Sequence, residues 1–214
     1  MPKQVFKLSQ HDQRPIQVEW KGMWKNMQIS FDGQLLGTIP DSKALKAGQT
    51  FPLPDGTQLG VKLKTGFQPG LEVSRDGRPL PGSGGDPLVQ LKLARGIVWF
   101  IGGLSIVLGL VAELGQVPFL VNMGMGWPAA AVGAVFLVLG YFVGKRSMVA
   151  LGLAMALLVA DTVLTLMASV GSGGRVPTGG LVMRVFFLIA MFQGFKAIKD
   201  IKAAEKLKNQ ADAF

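Results

Sequence analysis

The pattern of apolar and polar residues changes near residue 86. Before this point, residues 16–80 alternate apolar and polar side chains and contain many turn residues. After it come four long apolar runs, at residues 93–114, 128–144, 148–170 and 181–195. A bilayer core of about 30 Å requires about 20 apolar residues per helix, and no soluble fold of this size could bury four such runs. The pattern predicts a membrane all-α four-helix bundle with an N-terminal all-β, antiparallel sandwich-like domain.

The first apolar helix has a clear start signal. Asp86 is a good N-cap and Pro87 suits the first helical position. No breaker follows before residue 115, so a helix over 87–114 would be roughly 42 Å long and would protrude from the bilayer. Residues 82–85 are interpreted as a flexible hinge between a head (1–85) and a membrane domain (86–214). The other predicted helices are 128–144, 148–170 and 179–196, the last with a basic amphipathic extension over 196–209.

The head shows the period-two alternation of half-buried strands. The predicted strands are 16–20, 26–31, 34–38, 49–53, 58–64, 70–75 and 78–80. Asp-Gly pairs at residues 32–33, 55–56 and 76–77 lie between strands and supply the positive φ angles of tight hairpins. One carboxylate per turn is too few for a calcium loop. The strands predict an antiparallel sandwich or half-open barrel, with core candidates Trp20, Phe31, Phe51, Leu63 and Val73.

Several head segments resemble one repeat of the Fas apoptotic inhibitory molecule family. They are the sequences QISFDGQ at 28–34, LKAGQTF at 45–51, the pair Gly66 and Phe67, and LEVSRDGRPL at 71–80. The family has a β-sandwich with strand, Asp-Gly, strand units at similar spacing. The resemblance implies a non-catalytic interaction module and transfers no functional residue. The chain departs from the family in having a single unit and an appended membrane domain.

Basic residues near helix ends predict the orientation in the membrane. Lys92, Arg95, Lys145 and Arg146 share one side with the C-terminal lysines, whereas loop 115–127 has no basic residue and loop 171–180 has only Arg175. We therefore expect a multi-pass protein of the plasma (inner) membrane with both termini in the cytoplasm. Trp127 suits the outer aromatic belt. Residues 1–15 lack the apolar core of a cleavable signal peptide, so the first helix is expected to direct insertion.

Charge and composition exclude several kinds of binding site and reaction. The net charge is +9, of which residues 1–90 supply +3, from 11 basic and 8 acidic residues. The remaining basic residues lie at helix ends and form no stripe on a folded face, so nucleic-acid binding is not expected. The chain has no cysteine and a single histidine, His11. Disulfides, thiolate metal sites and Cys nucleophiles are excluded, and neither a metal nor another cofactor is expected.

Ionisable residues inside the apolar runs are functional candidates, because charge is costly in lipid. Asp161 and Arg184 lie on adjoining antiparallel helices and are expected to meet. Thr165 shares a helix face with Asp161, as does Ser169. With Glu113 on the first helix, the predicted intramembrane polar cluster is Glu113, Asp161, Thr165 and Arg184. It is interpreted as a structural ion pair with Glu113 at the outer interface, or alternatively as a polar path for protons or cations.

The C-terminal extension is basic and amphipathic. Its lysines are Lys196, Lys199, Lys202, Lys206 and Lys208. One interpretation is an anchor attracted to anionic lipid headgroups at the cytoplasmic face, with each basic residue contributing about 1 kcal/mol. The other is docking against the head or a partner subunit.

The expected function follows from these features. No nucleophile and base pair suggests an enzyme, and a lone acid is weak support for an aspartyl protease. Gly140 and Gly144 form a small-xxx-small motif that permits close helix contact. We expect a non-enzymatic protein with a cytoplasmic β interaction domain, acting as an accessory or scaffold subunit of a membrane complex or homo-oligomer. The alternative is a small oligomeric ion channel or transporter gated by the head through Asp161, Arg184 and Glu113.

Overall fold

The structure is a computed structural model that describes residues 1–8, 14–65, 69–122, 126–171 and 178–211 of the chain. It divides into two compact units, Met1–Val89 and Gln90–Phe214, called here the head and the helical unit. His11, Gly66, Phe67 and Arg175 lie outside the described residues, as do the side chains of Ser169 and Lys208.

The described part of the head forms two four-stranded antiparallel sheets. The first, in the order β1-β2-β3-β4, consists of β1 (Lys3–Lys7), β2 (Pro15–Lys21), β3 (Lys25–Phe31) and β4 (Gln34–Ile39). The second, in the order β5-β6-β7-β8, consists of β5 (Gln49–Pro52), β6 (Gln58–Lys64), β7 (Gly70–Arg75) and β8 (Arg78–Pro79). The predicted all-β antiparallel head is confirmed, and each predicted strand has a counterpart within a few residues.

One hydrophobic core serves both sheets. Alternate residues such as Ile16 and Val18 on β2 and Leu71 and Val73 on β7 point into it, as the period-two pattern requires. Among the core candidates, Phe31, Leu63 and Val73 are buried. The other two, Trp20 and Phe51, are partly buried and pack against the same core.

Two of the three Asp-Gly pairs form the expected tight turns. Both residues have positive φ at Asp32 and Gly33 (+49° and +81°) and at Asp76 and Gly77 (+47° and +77°), as two-residue hairpins require. The pair at residues 55–56 is different, since only Gly56 has positive φ. There the Asp55 carboxylate accepts hydrogen bonds from the Thr57 amide and hydroxyl. The expectation of a tight hairpin at this pair was wrong, because a side chain closes a longer turn.

Segment 82–85 is not a free hinge. The Gly84 amide donates to the Leu71 carbonyl at 2.7 Å, and Lys64 Nζ donates to the Gly84 carbonyl at 3.0 Å. Ser83 is fully buried. Asp86 accepts from the amides of Gly82 and Leu88, so it holds the segment and caps the following helix. The glycines therefore allow close packing on β7, and the prediction of flexibility is corrected.

The described residues of the C-terminal region form four long helices and one short helix. They are α2 (Pro87–Leu114), α3 (Pro118–Asn122), α4 (Trp127–Gly144), α5 (Met148–Gly171) and α6 (Thr178–Ala211); the head contributes α1 (Ser42–Ala47). Helix α2 has the predicted bounds, and α4 and α5 differ from theirs by one residue. The predicted fourth helix and its extension form one continuous helix of 34 residues, about 51 Å long.

Among the described residues, four helices are long and apolar enough to cross a membrane. They are α2, α4, α5 and α6. Buried residues from all four form a single hydrophobic cluster. Many large apolar side chains nevertheless remain exposed, including Phe100, Leu164, Met167 and Phe192. Exposed apolar surface on this scale is typical of contacts with a membrane or another protein.

Glycines allow α2 and α4 to approach closely. A Cβ at Gly102 would lie 2.8 Å from the Gly133 carbonyl oxygen, and a Cβ at Gly133 would lie 2.6 Å from the Gly102 carbonyl oxygen. The contact continues with Gly109 against Gly126, where an added Cβ would be 2.7 Å from the carbonyl oxygen. At the other end, the Trp99 ring lies over Gly140. Because these pairs run in opposite directions along the chain, the two helices are antiparallel and joined by small residues.

Candidate functional site

An ion pair joins α5 to α6. Arg184 Nη2 lies 2.7 Å from Asp161 Oδ2. The structure therefore brings together two of the four residues in the predicted polar cluster. Asp161 is ten positions before the end of α5 at Gly171, which corresponds to about 15 Å along the helix axis. The pair is thus well inside the apolar segment and is not at its rim.

The ion pair is only partly covered. Asp161 continues the helical spacing of Ala150, Ala154 and Leu158, all of which are buried. Its side chain is nevertheless 53% exposed, and that of Arg184 is 26% exposed. The face of α5 that is covered around Ala154 is therefore open at Asp161. This open stretch around Asp161 and Arg184 is called the uncovered face.

Thr165, the third predicted member, bonds to the helix backbone. Its hydroxyl donates to the Asp161 carbonyl at 2.7 Å. Thr162 does the same to the Leu158 carbonyl at 2.6 Å. Threonine hydroxyls within helices are commonly satisfied in this way. Thr165 thus lies beside the ion pair and bonds to the main chain of Asp161.

Glu113, the fourth predicted member, lies in a different place. Its Oε2 atom is 2.8 Å from the position that a Cβ on Gly126 would occupy. Glu113 thus lies at the contact of α2 with α4, whereas the ion pair joins α5 to α6. The ion pairs of the described residues do not include it. Sequence periodicity placed Glu113 correctly near a helix end but could not show which helix it faces.

A second polar group surrounds the start of α2. The Arg95 guanidinium lies 4.3 Å from the centroid of the Trp99 ring and against Gly144. Its Nε atom is buried and has no hydrogen-bond partner among the described atoms. Lys145 Nζ lies 4.6 Å from the Tyr141 ring. Cation–π contacts of this kind hold basic groups against aromatic rings at the predicted cytoplasmic end.

The C-terminal extension packs on its own unit. Ala197, Ile198 and Ile201 are buried in the hydrophobic cluster, and Glu205 forms an ion pair with Arg146 in the α4–α5 turn. Its lysines Lys196, Lys199, Lys202 and Lys206 are exposed. The apolar face of residues 197–201 is therefore covered by protein, while the lysines can reach headgroups. That headgroup contact stays a prediction.

The head carries a hydrogen-bonded charge cluster at the turn after β5. Asp55 accepts from Thr57 and forms an ion pair with Arg75 at 2.7 Å. These hydrogen bonds from Thr57, aided by Arg75 and Arg14, hold the pKa of Asp55 below its usual value. Thr57 and Arg75 also border an open depression of about 500 Å³. Sequence reasoning missed this cluster because Asp55 and Arg75 are 20 residues apart.

The described residues of the two units do not show the donor grouping of a metal site. Within the described ranges, no three Asp, Glu or His side chains lie close enough to hold a metal ion. The polar features that the structure does show are ion pairs, cation–π contacts and turn closures.

Comparison of the chain with protein families, curated proteins and solved structures gave no match. The resemblance of the head to the Fas apoptotic inhibitory molecule family accordingly stays a prediction carried by its strand and turn residues.

Proposed function

We propose that this chain is a multi-span membrane protein that works as a scaffold subunit of a homo-oligomer or larger membrane complex. In this proposal α2, α4, α5 and α6 span the plasma (inner) membrane. The β head is a non-catalytic interaction domain in the cytoplasm. The four apolar helices and the two-sheet head support this architecture, and the basic helix ends support the orientation.

The observation that supports assembly is the uncovered face. A charged side chain at the centre of a membrane helix costs about 2.5–3.5 kcal/mol. Pairing with Arg184 reduces that cost, but the exposed half of Asp161 would still face hydrocarbon in a monomer. Intramembrane ionisable residues almost always face a bundle interior or an aqueous cavity. A second protein surface against α5 and α6 would provide such an interior.

Cross-linking tests this proposal directly, because the chain has no cysteine of its own. Leu164 is 66% exposed and lies on the side of α5 that carries Asp161. Val163 is 47% exposed and lies on the opposite side. In full-length protein in native membranes, Leu164→Cys should form a disulfide-linked dimer or a cross-link to a partner. Val163→Cys serves as the matched control and should stay monomeric.

Native mass spectrometry of the detergent-extracted protein provides the second readout. A species larger than the 22.8 kDa monomer is expected. Asp161→Asn should shift it toward monomer, and Glu113→Gln should not, because Glu113 lies at another helix contact. A Leu164→Cys protein that forms no cross-link, together with a wild-type protein that is monomeric in native mass spectrometry, would overturn the proposal.

A small channel or transporter is the second candidate. The ionisable groups Asp161, Arg184 and Glu113 favour it, because such groups mark ion paths in many membrane proteins. Their separation onto two different helix contacts counts against one continuous path. Reconstituted vesicles would test it: proton or cation flux that Asp161→Asn abolishes in a folded, still oligomeric protein would favour the channel over the scaffold.

A further inference from the structure

The hairpin between β2 and β3 ends in a group of apolar and basic side chains. This group, residues 20–25, is called the hairpin tip. It comprises Trp20, Lys21, Gly22, Met23, Trp24 and Lys25. Neither the resemblance of the head nor the proposed assembly of the helices uses it.

The aromatic part of the hairpin tip is rigid. The rings of Trp20 and Trp24 stack with centroids 4.7 Å apart and an interplanar angle of 22°. Both rings also pack against the head core. The turn between them is tight, with φ of +52° at Gly22 and +62° at Trp24. A hairpin held in this way loses little conformational entropy when it meets a partner.

Met23 stands at the apex of the turn. Its side chain is 84% exposed, the highest value among the large apolar side chains that the structure describes. An exposed Met beside two half-buried Trp rings gives a small apolar point. Such a point has no evident use in stabilising the head itself.

The charge around the apex is positive. Lys21 and Lys25 lie directly opposite one another in the strand register, and both are exposed. Like charges in this arrangement destabilise a strand pair, so they gain nothing within the head. Glu19, the one acid in β2 and β3, is neutralised by Lys3 at 3.3 Å. The hairpin tip therefore complements an anionic surface.

We propose that the hairpin tip docks onto the anionic surface of the lipid bilayer. Trp side chains favour the headgroup level, where an apolar ring and a polar N–H are both satisfied. Lysines beside them are attracted to anionic headgroups. A hairpin tip of six residues is too small for a stable protein interface, which buries about 800 Å² per partner. It suffices for a head that is already attached to the membrane, because attachment makes docking intramolecular.

The proposal rests on the proposed membrane anchoring, and the experiment separates the two. Full-length Met23→Cys is labelled with an environment-sensitive fluorophore and reconstituted into nanodiscs of phosphatidylcholine with or without phosphatidylglycerol. Gln34→Cys is the matched control, because it is exposed and begins β4, beyond the far end of β3. Each disc holds one chain, and nitroxide-labelled lipid headgroups supply the quencher.

The expected result is quenching and a blue shift for Met23→Cys in anionic discs, with neither for Gln34→Cys. Adding Lys21→Gln and Lys25→Gln should lower the docked-to-free ratio on the order of 30-fold, because both lysines lose their attraction to the anionic headgroups. These two lysines are exposed, so the variant keeps the fold, which circular dichroism checks. Normal incorporation with an unquenched Met23→Cys probe overturns the docking. A blue shift that is absent from these discs and occurs only in discs loaded with several chains also overturns the docking, since it would indicate protein contact. Failure to incorporate into discs instead overturns the membrane anchoring.

Discussion

Arg184 of α6 holds its guanidinium 2.7 Å from the carboxylate of Asp161 on α5. This ion pair links two helices deep within the apolar part of the chain, and yet half of Asp161 is open on the surface of the unit. An internal structural pair would be covered on all sides. The exposed part of the Asp161 side chain is the observation that supports the proposed assembly of several chains.

Removing one partner of the ion pair should lower the free energy of unfolding more than removing both partners. Asp161→Asn leaves Arg184 charged in apolar surroundings and should lower the free energy of unfolding by about 2–3 kcal/mol. Adding Arg184→Gln removes that charge and should restore most of the loss. Unfolding of the detergent-solubilised protein in SDS, followed by circular dichroism, measures both variants. A double variant that is clearly less stable than Asp161→Asn, as two independent losses would make it, would contradict the coupling.

Two adjacent glycines, Gly102 and Gly103, test the close contact of α2 with α4. A Cβ at Gly102 would meet the Gly133 carbonyl oxygen at 2.8 Å, whereas a Cβ at Gly103 would meet nothing within 4 Å. Gly102→Ala should therefore destabilise the protein by about 1–3 kcal/mol through overpacking. Gly103→Ala is its matched control and should be neutral or stabilising by up to about 1 kcal/mol. Thermal unfolding in the same detergent compares them, and a loss in both variants would contradict the close contact.

Asp55 makes the stability of the head depend on acid pH. Its pKa is lowered, mainly by the Thr57 hydroxyl, from an ordinary value of 3.8. A carboxylate with a lowered folded pKa stabilises the fold above its unfolded pKa, and this contribution is lost as pH falls through the folded pKa. We expect Thr57→Val to raise the pKa of Asp55 toward 3.8. An NMR titration of the Asp55 carboxyl carbon in the full chain measures it, with Asp55→Asn identifying the signal. An unchanged titration in Thr57→Val would refute the assigned cause.

Local signals in the sequence were sufficient for much of the fold. Asp86 and Pro87 marked the start of α2 because a cap and an N1 proline act on adjacent residues. The alternation around Ile16 and Val18 predicted β2 because the pleat repeats every two residues. Strand β1 and helix α1 were missed. Strand β1 buries little beyond Phe6, and α1 has only six residues, too few for a periodic signal.

The candidate site was harder to predict because its contacts are non-local. The prediction that Asp161 and Arg184 meet was confirmed, because a short connection makes neighbours of two helices. The place of Glu113 depended on the packing of α2 against α4. That packing involves Gly109 and Gly126, which are 17 residues apart, so the pattern of a single helix does not reveal it. The packing of segment 82–85 was hidden in the same way, because its hydrogen bonds go to Leu71 and Lys64.

The proposed function requires α2, α4, α5 and α6 to cross the membrane with both termini in the cytoplasm. Labelling of intact cells with a membrane-impermeant maleimide tests it most directly. Gln116 lies between α2 and α3 and is exposed, and Gln34 is exposed in the head. We predict that Gln116→Cys is labelled on intact cells and that Gln34→Cys is labelled only after lysis. Labelling of Gln34→Cys on intact cells, or recovery of the protein in the soluble fraction without detergent, would contradict the account.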